Sequence, residues 1–85
     1  MKEFSYVITD PEGVHARPAG ILVKEAGKFT SSIKLVKNGK AVDAKKIFGV
    51  MGLAAKQGET LQIIAEGADE DAAIEALRGL MSTNL

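Results

Sequence analysis

The sequence predicts a small α+β sandwich, with helices over one face of a sheet and water on the other. Three observations carry this. The chain has 85 residues and a mass of 9.0 kDa, which suits one core near the lower limit of independent stability, so a single domain over residues 1–85 is expected. With 46% hydrophobic and 26% charged residues it matches globular composition and not disorder or low complexity. Its hydrophobic spacing switches between a period of two and a helical period in the order β-α-β-β-α-β-α.

Residues 3 to 9 alternate, with Phe4, Tyr6 and Ile8 on one face and Glu3, Ser5 and Thr9 on the other, Val7 being the exception. Asp10, Pro11, Glu12 and Gly13 are turn formers. After them Ala19, Leu22, Val23 and Ala26 recur at helical spacing, predicting a helix over about 16 to 27 that stops at Gly27. Ile33 and Leu35 point one way from a strand at about 32 to 37. Lys37-Asn38-Gly39-Lys40 follows as a two-residue hairpin, because Asn and Gly tolerate positive φ. That register sets Leu35 opposite Val42 and Ile33 opposite Ala44.

Ile47, Val50, Met51 and Ala54 stand at i, i+3, i+4 and i+7 of a short helix over 46 to 54. Gly49 and Gly52 each weaken it by roughly 1 kcal/mol relative to Ala. Gln57-Gly58 turns the chain into a strand over 60 to 66, where Leu61, Ile63 and Ala65 share a face. Asp69 reads as the N-cap of a last helix whose stripe is Ala73, Leu77 and Leu80, with Ile74 and Met81 alongside. The pattern does not fix the strand order.

Composition narrows function. Lys plus Arg and Asp plus Glu number 11 each, so no excess positive charge favours a nucleic acid partner. With no Cys and one His, disulfide frameworks, zinc knuckles, thiol catalysis and a transition-metal cluster of the usual kind are excluded, and no metal and no organic cofactor are expected. The start, MKEFSYVITD, has no signal-peptide core, and apolar runs are only a few residues long, so no membrane insertion is expected. Charge is uneven: residues 29–58 hold six Lys against one Asp, and residues 59–85 six acids against one Arg. The basic stretch suits either docking to an acidic protein or a hairpin edge protected by Lys.

The informative segment is Gly13-Val14-His15-Ala16-Arg17-Pro18-Ala19, which sets the only His beside an Arg where a loop becomes a helix. The first amides of a helix lack internal acceptors and its dipole favours negative charge, so an anion near His15 would meet the amides of Ala16 and Arg17 as well as the guanidinium. Pro18 donates no amide but suits a first turn. A neutral imidazole is a competent nucleophile near pH 7 and can carry a phosphoryl group reversibly. Phosphoryl transfer asks chiefly for positioning and charge stabilisation, which His15, Arg17 and free amides could supply. A lone His before a helix is more often a cap or a surface residue, and spacing alone leaves both readings open. Asp69, Glu70 and Asp71 are read as helix-start chemistry and not as a catalytic cluster. Gly49 and Gly52 form no phosphate loop, and Phe48 and Met51 suit a partner patch or the core equally.

The segment G-V-H-A-R-P-A, together with A-V-D-A-K-K-I-F-G-V-M-G-L and E-G-A-D-E, resembles the HPr family, the histidine-containing phosphocarriers of the bacterial sugar phosphotransferase system. The likeness spans essentially the whole chain. It implies an open-faced β-sandwich, a four-stranded antiparallel sheet ordered 1-4-2-3 with three helices on one face. It implies a cytoplasmic carrier that accepts a phosphoryl group from enzyme I, charged by phosphoenolpyruvate, and passes it to enzyme IIA domains. His15 would hold the group on Nδ1 with Arg17 as charge partner, and Gly20, Ile47, Phe48 and Met51 would contact both partners.

Two positions depart from the family pattern. Lys46 stands where many Gram-positive members have a serine phosphorylated by a dedicated kinase, so that switch is expected to be absent. Gly20 stands where Ala or Thr is common. Alternatives from other classes are a regulatory module that senses phosphorylation state without serving sugar uptake, and a plain anion-binding domain. A monomer is expected, because no large apolar surface is evident.

Overall fold

Period-two alternation in four segments and helical spacing in three produce the seven elements of the computed structural model, which describes residues 1–85. They are β1 (Lys2–Val7), α1 (Ala16–Ala26), β2 (Ser32–Lys37), β3 (Lys40–Asp43), α2 (Ile47–Gly52), β4 (Thr60–Glu66) and α3 (Glu70–Asn84). The strands form one antiparallel sheet in the order β1-β4-β2-β3, as the family resemblance implies.

Register sorts the side chains. Tyr6 lies opposite Leu61, Phe4 opposite Ile63, Leu35 opposite Ile63 and Ile33 opposite Ala65, so one face is apolar across three strands. Leu61, Ile63, Ala65, Ile33 and Leu35 on that face are buried. The opposite face carries Ser5, Gln62, Glu3 and Lys34, with Gln62 Nε2 donating to Glu3 Oε1 at 3.1 Å. Val7 lies on this wet face, 54% exposed, so its break in the alternation costs no core position. Asn38 and Gly39 take φ values of +51° and +81°, which makes the tight turn and sets Leu35 opposite Val42. The amide of Ala44 donates to the Ile33 carbonyl at 2.9 Å, extending the expected register.

The three helices bury their stripes on the apolar face. Pro18, Ala19, Leu22 and Ala26 of α1 are buried, as are Ala73, Ile74, Leu77 and Met81 of α3. All of these but Pro18 join the strand residues in one cluster of 19, so the chain has one core. Each fully buried Leu or Ile contributes about 1.5–3 kcal/mol relative to exposure.

Three local features differ from the sequence reading. α2 closes at Gly52, and Ala54 turns to φ +51° outside it, so Leu53 and Ala55 take the buried places. The cause is weak propensity at Gly49 and Gly52, which leaves tertiary burial to decide where the helix stops. Gly27 ends α1 with φ −66° and not in the left-handed region; its amide still reaches the Val23 carbonyl at 3.0 Å, and the chain leaves through short bonds from Lys28 and Phe29. Asp69 occupies the N-cap of α3, but its carboxylate does not cap the helix. It accepts from the Thr30 and Ser31 amides, both at 2.9 Å, and from the Ser31 hydroxyl, tying α3 to the start of β2.

Candidate functional site

The loop between β1 and α1 is folded by its own turn formers. Oδ1 of Asp10 accepts the Glu12 amide at 2.8 Å, and the Gly13 amide donates to the Asp10 carbonyl at 2.9 Å. Gly13 has φ +67°, and a Cβ there would lie 2.3 Å from the Ala55 carbonyl oxygen. Only glycine permits this approach. The next residue, Val14, donates its amide to that same oxygen at 2.9 Å. The other end of the loop is fixed by the residue that follows α3: the amides of Thr9 and Asp10 and the Thr9 hydroxyl all donate to the main-chain oxygen of Leu85, at 2.6, 2.8 and 2.8 Å.

This bracing delivers His15 to the N-cap of α1 with φ −92° and ψ −174°. Its carbonyl accepts the Ala19 amide at 3.1 Å, while its side chain makes no capping bond. The imidazole is therefore not engaged in capping. The amides of Ala16 and Arg17 precede the first helical bond and donate to no acceptor within the chain, and Pro18 has none to offer.

His15 borders an open depression of about 350 Å³, shared with Asp10 and Glu12 of the loop, Arg17, Pro18 and Ile21 of α1, and Thr83 and Asn84 of α3. Its side chain is 35% exposed. Nε2 lies 3.4 Å from Oε2 of Glu12 and 4.0 Å from Oδ2 of Asp10. Arg17 is exposed and pairs with no carboxylate within 4.0 Å, so its charge is available to an incoming anion. The site thus combines a reachable imidazole, a free guanidinium and two free amides, with carboxylates on one side of the ring. Such a set can accept a transferable anionic group and balance its charge.

The structure brings together His15, Ala16 and Arg17, the residues singled out for phosphate. Gly20 lies exposed on α1, with open space where a Cβ would stand. Ile47 is partly buried against the core, Met51 is 39% exposed and Phe48 is 86% exposed. Phe48 is not a core residue. Lys46 sits exposed at the N-cap of α2, making no side-chain cap.

Asp10 and Glu12 were legible only as turn formers; their positions five and three residues before the His were the available signal. Ile21, off the buried stripe of α1, and Thr83 and Asn84, remote in sequence, had no local signal. Asp69 and Glu70 are engaged in structure: Asp69 as above, and Glu70 with the Gly67 amide at 3.1 Å and the N-terminal ammonium at 2.9 Å. No helix is long and apolar enough to cross a membrane.

Comparison with known proteins gives the same picture. The family model described as PTS HPr component phosphorylation site matches residues 2–83. Phosphocarrier protein HPr of Mycoplasma capricolum is 47% identical over 81 residues, covering 95% of this chain and 91% of that protein. The crystal structure of HPr from Thermoanaerobacter tengcongensis superposes with a TM-score of 0.93 at 44% identity, over 98% of this chain and 93% of that one. The Bacillus subtilis catabolite repression protein Crh, solved as a dimer with a swapping domain, has a TM-score of 0.78 at 40% identity, over 94% and 92% of the two chains.

Proposed function

The chain belongs to the HPr family of phosphocarriers of the phosphotransferase system, and from that premise we propose that His15 takes a phosphoryl group from phosphorylated enzyme I in the cytoplasm and gives it to enzyme IIA domains. The observation that carries this reading is the reachable imidazole of His15 beside two amides and a guanidinium that have no other partner.

The Nδ1 lone pair of a neutral His15 attacks phosphorus, the N–P bond forms, and the bond to the donor breaks with its electron pair leaving on the donor. The developing charge on the equatorial oxygens meets the Arg17 guanidinium and the Ala16 and Arg17 amides. Positive charge grows on the ring at the same time, and Nε2 faces Glu12 and Asp10. The acids therefore act on the imidazole, and the donors on the phosphoryl group. An open site suits a relay, because the cargo must pass between two macromolecules, neither of which can enter a closed cavity. The exposed apolar residues Phe48 and Met51 on α2, with Ile47 and with Gly20 on α1, are the surface we assign to both partners.

The test is labelling from radioactive phosphoenolpyruvate and enzyme I. One phosphoryl group per chain, stable in alkali and lost in acid, is expected, with none on His15→Ala; persistent labelling of that variant rejects the assignment. The likeness to Crh favours examining a regulatory role on the same fold. Onward transfer to an enzyme IIA domain separates the two, since a sensor without a carrier role would keep its label.

A further inference from the structure

The acidic side of His15 has the donors for a second ligand besides the phosphoryl group. Asp10, Glu12 and His15 each place a donor atom within 4.8 Å of the others, and Nε2 of His15 lies 4.0 Å from Oδ2 of Asp10 and 3.4 Å from Oε2 of Glu12. Neither carboxylate pairs with a Lys or Arg; the sole basic group within 4.0 Å of either is the imidazole. Two carboxylates held together without a cation repel each other, and the loop nevertheless holds them there. Asp10 is fixed through Oδ1 by the Glu12 amide and through its own amide by Leu85, while Gly13 is wedged against Ala55. This leaves Oδ2 of Asp10 directed at the ring nitrogen.

The donor set matches one class of ligand, and its spacings to the imidazole come close to that ligand's geometry. Zinc bonds to imidazole nitrogen and carboxylate oxygen at about 2.0–2.2 Å, which in a tetrahedron places donor atoms about 3.3–3.5 Å apart. The 3.4 Å separation of Glu12 and His15 already has this value, and the 4.0 Å separation of Asp10 and His15 needs a contraction of about half an ångström. One nitrogen and two oxygens, with the remaining position open to water, suit a zinc-class divalent ion better than magnesium, which favours oxygen alone.

We propose that Asp10, Glu12 and Nε2 of His15 form an exchangeable, inhibitory site for a divalent cation of the zinc class. The site rests on the geometry; its inhibitory effect rests on the reading of His15 as the phosphoryl acceptor. Inhibition follows from the tautomer. A neutral imidazole has one lone-pair nitrogen and one N–H nitrogen. With the lone pair of Nε2 given to the metal, the proton sits on Nδ1, which then has no electron pair for phosphorus. Metal binding and phosphoryl acceptance on the free ring exclude each other.

Zinc chloride titrated into the unphosphorylated chain should give saturable one-to-one binding by calorimetry and a selective shift of the His15 Nε2 nitrogen signal. His15→Ala should abolish binding. Glu12→Gln and Asp10→Asn should each weaken it by at least the roughly 10–100-fold typical of losing an outer-shell partner. Magnesium should not shift the Nε2 signal. Absence of saturable zinc binding, or wild-type affinity in both carboxylate variants, overturns the site.

In the labelling assay zinc should lower phosphoryl acceptance by the wild-type chain, and Glu12→Gln should resist it at the same concentration, which excludes an effect on enzyme I. Zinc bound at Nε2 without slower labelling overturns the inhibitory role and leaves the carrier reading intact. Failure of labelling in the absence of zinc overturns the carrier reading and leaves the metal site to stand on its titration.

Discussion

The Nε2 of His15 lies 3.4 Å from Oε2 of Glu12, so the carboxylate bears on the ring nitrogen opposite the one assigned to the phosphoryl group. This decides the sign of the Glu12 contribution. A carboxylate near a phosphate repels it, but this one sits on the Nε2 side, and in the proposed transfer the ring would become positive as the N–P bond forms. Attraction to the nearer charge wins. Glu12 is 74% exposed, and exposed pairs are worth about 0.2–1 kcal/mol. Glu12→Gln should therefore slow phosphoryl acceptance by up to about fivefold, with the deficit shrinking at high salt. Initial rates of labelling at two ionic strengths, with metal chelated, measure this; a faster variant would reverse the assigned role.

Arg17 carries the opposite duty. It lines the depression with no carboxylate partner, so in the proposed transfer its guanidinium would meet the phosphoryl group without first breaking a salt bridge. Removing one such donor from an enclosed site costs about 10²–10³ in rate; this site is open to water, and Arg17→Ala should cost about 10- to 100-fold. Arg17→Lys should recover part of that, since the charge returns but the planar fork does not. Equal rates for wild type and Arg17→Ala would remove Arg17 from the site.

Gly13 couples fold to site. Its φ of +67° and the 2.3 Å approach of a Cβ to the Ala55 oxygen mean that a side chain meets both strain and a backbone clash. Gly13→Ala should destabilise the fold by about 1–3 kcal/mol from the conformation alone, more if the loop cannot shift. Chemical denaturation measures the loss, and labelling of the folded fraction should also slow, because the same loop places Asp10, Glu12 and His15. An unchanged denaturation midpoint would show that the loop does not need this approach.

Phe48 separates docking from packing. At 86% exposure it contributes little to the core, so Phe48→Ala should alter stability by no more than about 0.5 kcal/mol. Its effect should instead appear as a higher KM for this chain as substrate of enzyme I, with kcat changed less. An unaltered KM would take Phe48 out of the docking surface.

How much of this was legible in the sequence follows from the range of the interactions. The hairpin was readable because Asn38-Gly39 dictates its own φ values, and that fixed Leu35 opposite Val42. His15 and Arg17 were readable because a helix start has local chemistry. Strand order depends on pairing between β1 and β4, more than fifty residues apart in register, and came only through family likeness. The wall of the site formed by Thr83 and Asn84, and the Leu85 oxygen that anchors Thr9 and Asp10, depends on where α3 ends in space. No local pattern encodes that. The two glycines of α2 warned of a weak helix, but only burial of Leu53 and Ala55 reveals where it stops.

Asp69 supplies the acid limb of stability. The Ser31 hydroxyl and then the Thr30 amide hold its carboxyl down from 3.8 to about 2, so the folded state favours the ionised form. A depressed carboxyl stabilises the fold above its unfolded value, and that stabilisation is lost as pH falls from 3.8 through about 2. Asp69→Asn removes the titration and weakens the tie between α3 and the start of β2. The variant should be less stable than wild type near pH 7, and the gap should close progressively below 3.8 and vanish only below about 2. Glu59, held down by the Lys56 amide, and Glu70, held down by the N-terminal ammonium, are lowered too, so the variant should keep some acid sensitivity of its own. Denaturant midpoints of both chains across that window read the difference directly; curves that stay parallel down to the lowest pH would show that the Ser31 and Thr30 contacts do not favour the charged carboxylate.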